Sequence, residues 1–110
     1  MQNEFAIYVE ELLEEFAPLS IRAMFGGYGI YKNGLIFGLI IDNELYFKGD
    51  DIAVEFYKTY NSRPFTYSNK NDKIVTMNYW TVPPEAMEDK DKIVEWVNVA
   101  LEAAVRAKKI

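Results

Sequence analysis

The chain has 110 residues, half of them apolar and 15% aromatic, which is enough for one packed domain and too apolar for a disordered one. It contains no cysteine and no histidine, which excludes disulfides, thiolate nucleophiles, thiolate or imidazole metal sites, and the commonest general base near neutral pH. A net charge of −5 repels phosphate backbones and disfavours direct nucleic-acid binding unless a local basic patch offsets it.

The opening stretch, MQNEFAIYVEELLEEF, reads as a helix that Asn3 caps. Its apolar positions Phe5, Tyr8/Val9, Leu12/Leu13 and Phe16 follow one helical face, with Glu10, Glu11, Glu14 and Glu15 on the other. Those glutamates read as a solvated face, or as an acidic docking surface for a basic partner. Pro18 ends the helix, because residues before proline avoid the helical region. This start has no positive region of a signal peptide, and no apolar run in the chain approaches the about 18 residues of a membrane span. A cytoplasmic protein without membrane association is expected.

The segment 22–48, RAMFGGYGIYKNGLIFGLIIDNELYFK, is the organising stretch. Arg22 to Phe25 and Tyr28 to Lys32 read as strands around Gly26-Gly27. Asn33-Gly34 is a strong hairpin signal, since a type I′ turn needs positive φ at both central residues. Leu35 to Ile41 is nearly all apolar, so both of its faces should be covered. Gly38 within it suggests a bulge or a close backbone approach. Asp42-Asn43 then turns the chain into Leu45 to Lys48.

Gly49-Asp50-Asp51 reads as a stop and a helix cap, followed by a helix carrying Ile52, Val54, Phe56, Tyr57 and Tyr60. Pro64 restricts the next strand to an edge. Phe65 to Ser68 and Lys73 to Val82 form a second hairpin, and Pro83-Pro84-Glu85 opens a short helical turn. Asp89 starts a last helix running to about Lys108. Its polar stripe of Glu95, Asn98, Glu102 and Arg106 is narrow, so the apolar arc exceeds what a surface helix needs. Either this helix is sandwiched between the sheet and another helix, or Trp96 and Val99 lie in a homodimer interface. Arg106, Lys108 and Lys109 suit the C-terminal end of its dipole.

This order describes a single α+β domain over 1–110: a mostly antiparallel sheet, made of a three- to four-strand meander plus a hairpin, packed by N-terminal, middle and C-terminal helices. The glycines at 26, 27 and 29 sit between strands with no following lysine, so they shape the sheet and do not cradle phosphate. Asp50, Asp51, Asp89 and Asp91 read as helix caps better than as metal ligands. No catalytic set, metal site or cofactor is expected. The polar residues with a claim to a binding site are Arg22, Lys48, Tyr46, Tyr79 and Trp80. Tyr28, Tyr31 and Tyr67 join them as candidates to line an aromatic groove on the uncovered sheet face. Aromatic faces stack bases, but the interleaved cations of nucleic-acid binders are missing.

The segment 24–48, MFGGYGIYKNGLIFGLIIDNELYFK, with Phe65-Thr66-Tyr67 and then Met77-Asn78-Tyr79-Trp80-Thr81-Val82-Pro83 and Glu85-Ala86, resembles the N-terminal domain of the TfoX/Sxy family. The resemblance covers nearly the whole chain and implies a compact α+β domain without catalytic residues. The family's namesakes are bacterial regulators of natural competence that act with a cyclic-AMP receptor protein. They carry a second, C-terminal domain, and this sequence matches the first alone, so a DNA-associated or coactivator role is expected to transfer weakly. The leading expectation is a non-enzymatic regulatory module working through a protein partner. The alternative is a small-molecule-binding domain using the aromatic groove near Tyr46, Tyr79 and Trp80.

Overall fold

The computed structural model describes residues 4–24 and 26–108; the Asn3 cap and the strand position of Phe25 lie outside the described residues, as does Lys109. Helix α1 spans Glu4–Leu12 and passes through a 3₁₀ turn, Glu14–Phe16, into strand β1, Ser20–Met24. Strands β2 (Gly27–Lys32), β3 (Leu35–Ile41) and β4 (Glu44–Lys48) complete the meander. Helix α2 (Ala53–Thr59), strands β5 (Pro64–Ser68) and β6 (Ile74–Thr81), the short α3 (Pro84–Met87) and the long α4 (Lys90–Lys108) follow.

All six strands join one antiparallel sheet in the order β1-β2-β3-β4-β6-β5. The turn residues behave as their chemistry requires. Asn33 and Gly34 both have positive φ, at 53° and 80°, and Asp42 and Asn43 repeat the pattern at 50° and 60°. β5 is an edge strand, the position that Pro64 permits. The strand pairing slips by one residue opposite Phe37-Gly38, so the expected irregularity at Gly38 is a bulge. It turns Phe37 toward the helices, where its ring lies 5.9 Å from that of Phe47.

The helices pack on one face of the sheet. The Asp50 Oδ1 accepts from the N–H groups of Ile52 and Ala53, so the expected cap of α2 is real. Asp89 does the same for Asp91 and Lys92 at the start of α4. α4 lies on β3 and β4 and touches α2 and α3. Its buried residues Ile93, Trp96, Val97, Ala100, Ala103 and Ala104 join Ile30, Phe37, Ile40, Leu45 and Phe47 of the sheet and Val9 and Leu13 of the N-terminal segment in one core. The three alanines let the helix axis come close to the sheet. Trp96 is 1% exposed and rests among Phe56, Tyr57 and Tyr60 of the α2 segment. Much of the apolar arc of α4 is occupied within the molecule: Trp96 is interior and Val99 is half-buried against the same core, while Val105 remains 41% exposed. A homodimer built on Trp96 would require this core to open.

Arg106 reaches from the end of α4 to the cap of α2. Its Nε donates to Asp50 Oδ2 at 2.6 Å and its Nη2 to Asp50 Oδ1 at 3.0 Å. The guanidinium hydrogen bond is the main reason the Asp50 carboxyl is held below its usual pKa. On the other side of the core, Lys32 Nζ donates to the Phe16 carbonyl at 2.6 Å, tying β2 to the end of the 3₁₀ turn.

Candidate functional site

The sheet face away from the helices is built by strand alternation. Arg22, Gly29, Leu39 and Tyr46 stand opposite one another in a single cross-strand row. Lys48 and Tyr79, themselves paired, stand two residues further along β4 and β6 from Tyr46 and Thr81. The pairing of β5 and β6 is irregular between Pro64 and Phe65, and beyond it this hairpin curls over the open face. Phe65 meets Tyr46 edge-on at 5.2 Å and stacks on Tyr67 at 6.0 Å.

The curl encloses an apolar recess of about 330 Å³, lined by Leu39 and Ile41 of β3 and by Phe65, Tyr67 and Met77 of the hairpin. Leu39 is 2% exposed although no helix covers it, so the expectation that both faces of β3 are covered holds through this hairpin. A larger hollow of about 570 Å³ beside Glu4, Phe5, Tyr8 and Asn43 opens broadly to solvent.

Two cations sit on tyrosine rings at this face. The Arg22 guanidinium lies 5.1 Å from the Tyr31 ring centre, and Lys48 Nζ lies 5.3 Å from that of Tyr79. Gly29 makes room for the first pair: a Cβ there would strike Met24 and Tyr31, whose side chains occupy the space above it. Tyr79 is buried, and its hydroxyl pKa is pushed up to about 12, by desolvation first and by Tyr31 second. Burial also raises that of Tyr46, with Glu44 and Asp42 adding to it. Both phenols are therefore neutral at physiological pH.

The structure brings four of the five expected site residues, Arg22, Tyr46, Lys48 and Tyr79, to one face. Trp80 is on the other. As the neighbour of Tyr79 in a strand it must point oppositely, and it stacks on Tyr57 at 6.3 Å while its Nε1 donates to Asn78. Of the wider aromatic set, Tyr31 and Tyr67 share the open face, whereas Tyr28 packs with the helix-side core. Sequence reasoning missed Leu39, Ile41, Phe65 and Met77 as recess walls. Alternation along β3 and β5 pointed to a face for each but not to the curl that gathers them. The turn glycines Gly26 and Gly27 serve the sheet: Gly26 has φ 76°, and a side chain on Gly27 would collide with the Ile40 carbonyl of β3.

Asp50 and Asp89 are occupied as caps, and among the described residues no group of three or more acids is placed to hold a metal ion. Nor, among them, is any helix long and apolar enough to cross a membrane.

Helices on one face of an antiparallel sheet, and a walled recess on the other, define a small α+β domain with a single side-chain-lined open face. Residues 11–104 match the sequence model of the TfoX N-terminal domain, and the chain belongs to that family. It is also similar to Protein Sxy of Escherichia coli (strain K12), with 25% identity over 99 residues. That alignment covers 90% of this chain and 47% of the relative, so the chain spans about half the length of the curated protein it matches.

Proposed function

We propose that this chain is a non-enzymatic regulatory module that acts through protein–protein contact, in the competence-related or transcriptional setting that its family implies. Family membership over residues 11–104 carries this reading. The absence of histidine and cysteine from the sequence supports it, because acid–base and nucleophilic chemistry at neutral pH leans on those side chains. The excess of acids argues for a protein partner over direct contact with nucleic acid. Such a module works in the cytoplasm. The test is affinity capture from its host with the whole chain as bait, beside a bait carrying Tyr67→Ala and Arg22→Glu on the open face. A transcription component retained by the first bait and lost by the second is expected. Recovery of no transcription component or other stable partner overturns the proposal.

The recess favours a second reading, a small-molecule-binding domain. Its volume of about 330 Å³ lies at the small end of ligand pockets, and its walls are apolar with polar groups at the margin. A thermal-shift screen against metabolite pools tests this, and no stabilisation from any pool removes it.

A further inference from the structure

We infer that the recess, with the acidic β3–β4 turn beside it, is a binding site for a compact organic cation: an aromatic or aliphatic body that carries an ammonium group. The inference rests on the small-molecule reading of the recess and names the ligand class.

The walls are the first argument. Leu39, Ile41 and Met77 offer apolar surface, and Phe65 and Tyr67 offer rings, with Tyr67 45% exposed. Tyr46 adjoins them, edge-on to Phe65 at 5.2 Å. The face of an aromatic ring is the negative part of its quadrupole, so such walls attract an ammonium and offer nothing to a carboxylate.

Charge placement is the second. Glu44 is the cross-strand partner of the wall residue Ile41, so its exposed side chain leaves the sheet on the same face, with the two Cβ atoms about 5 Å apart. Asp42 follows Ile41 directly and is exposed as well. Among the described residues neither carboxylate enters an ion pair. Their field reaches the margin of the recess: burial is the first cause that raises the Tyr46 hydroxyl pKa, and Glu44 and then Asp42 raise it further. The cations of this face stand elsewhere. Lys48 is at the other end of β4 from Glu44, about 13 Å along the strand, and lies over Tyr79. Arg22 is separated from Leu39 by the whole of β2, about 10 Å across the sheet, and lies over Tyr31. Lys73 belongs to the turn beyond the paired ends of β5 and β6, beside Asp72. A body seated on Leu39 and Ile41 against the rings therefore places its ammonium toward Glu44. A recess this short accepts one compact body, whereas an extended peptide needs a longer groove or a free sheet edge.

The test uses three probes of one shape, phenethylammonium, neutral 2-phenylethanol and anionic phenylacetate, titrated calorimetrically into the whole chain at low and at physiological salt. The ammonium is expected to bind roughly three- to tenfold more tightly than the alcohol, with the advantage shrinking as salt rises, and the carboxylate to bind most weakly. Glu44→Gln should reduce the affinity for the ammonium and leave that for the alcohol unchanged, whereas the same charge change far away, Glu95→Gln on α4, should alter neither. Tyr67→Ala should weaken both. Equal affinity for ammonium and alcohol, or tighter binding of the carboxylate, overturns the cation inference while the small-molecule reading survives. Binding of none of the three overturns both and leaves the recess to a protein partner. The comparison of probes on the unaltered chain stands whatever the variants do.

Discussion

The two faces of the sheet are covered to different extents and by different means. On the helix side, α1, α2 and α4 bring Trp96, Tyr57, Val97 and a run of alanines onto Phe37, Ile40 and Phe47, and the core is continuous. On the open side the sheet covers itself: the β5–β6 hairpin curls over Leu39 and Ile41, and its own Tyr67 remains 45% exposed. The first arrangement spreads burial over many contacts between separate elements. The second hangs on one bent hairpin and leaves half-covered rings, cations and a recess. Stability should therefore reside on the helix side, and exchange with other molecules on the open side.

The sharpest way to break this contrast is at Trp96. Trp96→Ala removes the ring that Phe56, Tyr57 and Tyr60 surround, and a loss of about 3–5 kcal/mol is expected from the denaturation midpoint. A loss under about 1 kcal/mol would mean that the helix side does not carry the fold. Next is Tyr57→Phe. The Tyr57 hydroxyl donates to the Lys48 carbonyl at 2.6 Å from a buried position, so about 1–2 kcal/mol should be lost with little change in core volume.

Asp50→Asn follows, at about 1 kcal/mol or less, because the pair with Arg106 is about one-third exposed and screened by solvent. The sign in pH is fixed by the direction of the shift. Asp50 has a folded-state pKa below the ordinary value of 3.8, so its contribution is complete above that value and is lost as pH falls through the lower, folded-state pKa. Acid unfolding of the wild type should lose this increment, and the Asn variant should show a flatter profile over the same range. Smallest is Tyr67→Ala on the open face, where a stability change within about 0.5 kcal/mol is expected alongside the loss of recess binding. A large destabilisation there would show that the hairpin curl is part of the core after all.

How much of this was legible in the sequence depended on how local each cause was. Asn33-Gly34 and the Asp50 cap are set within a few residues, and both turned out as their chemistry required. Pro64 correctly marked an edge. The breadth of the apolar arc on α4 was plain, but whether it met the sheet, another helix or a second copy depended on contacts with residues far along the chain. The open-face site was half legible: Arg22, Tyr46, Lys48 and Tyr79 were readable as a set. Trp80 was grouped with them although a strand sends neighbours to opposite faces, a signal that was available at the outset. The curl of β5 and β6 was not legible, because it comes from a pairing irregularity opposite Pro64 and from β6 pairing with β4, its partner across an intervening helix and strand. The tie between Asp50 and Arg106, 56 positions apart, left no local trace either.

Tyr57 has an optical consequence. Both tryptophans of the chain stack on it, Trp96 at 5.1 Å and Trp80 at 6.3 Å, and its hydroxyl holds the backbone of Lys48, whose side chain stands on the opposite face. Both indoles of the protein thus lie against the one ring whose hydroxyl is bonded to the strand that presents an open-face cation. A change at Lys48 has a short path to their emission, and unlabelled fluorescence becomes a natural readout of what settles on the far side of the sheet.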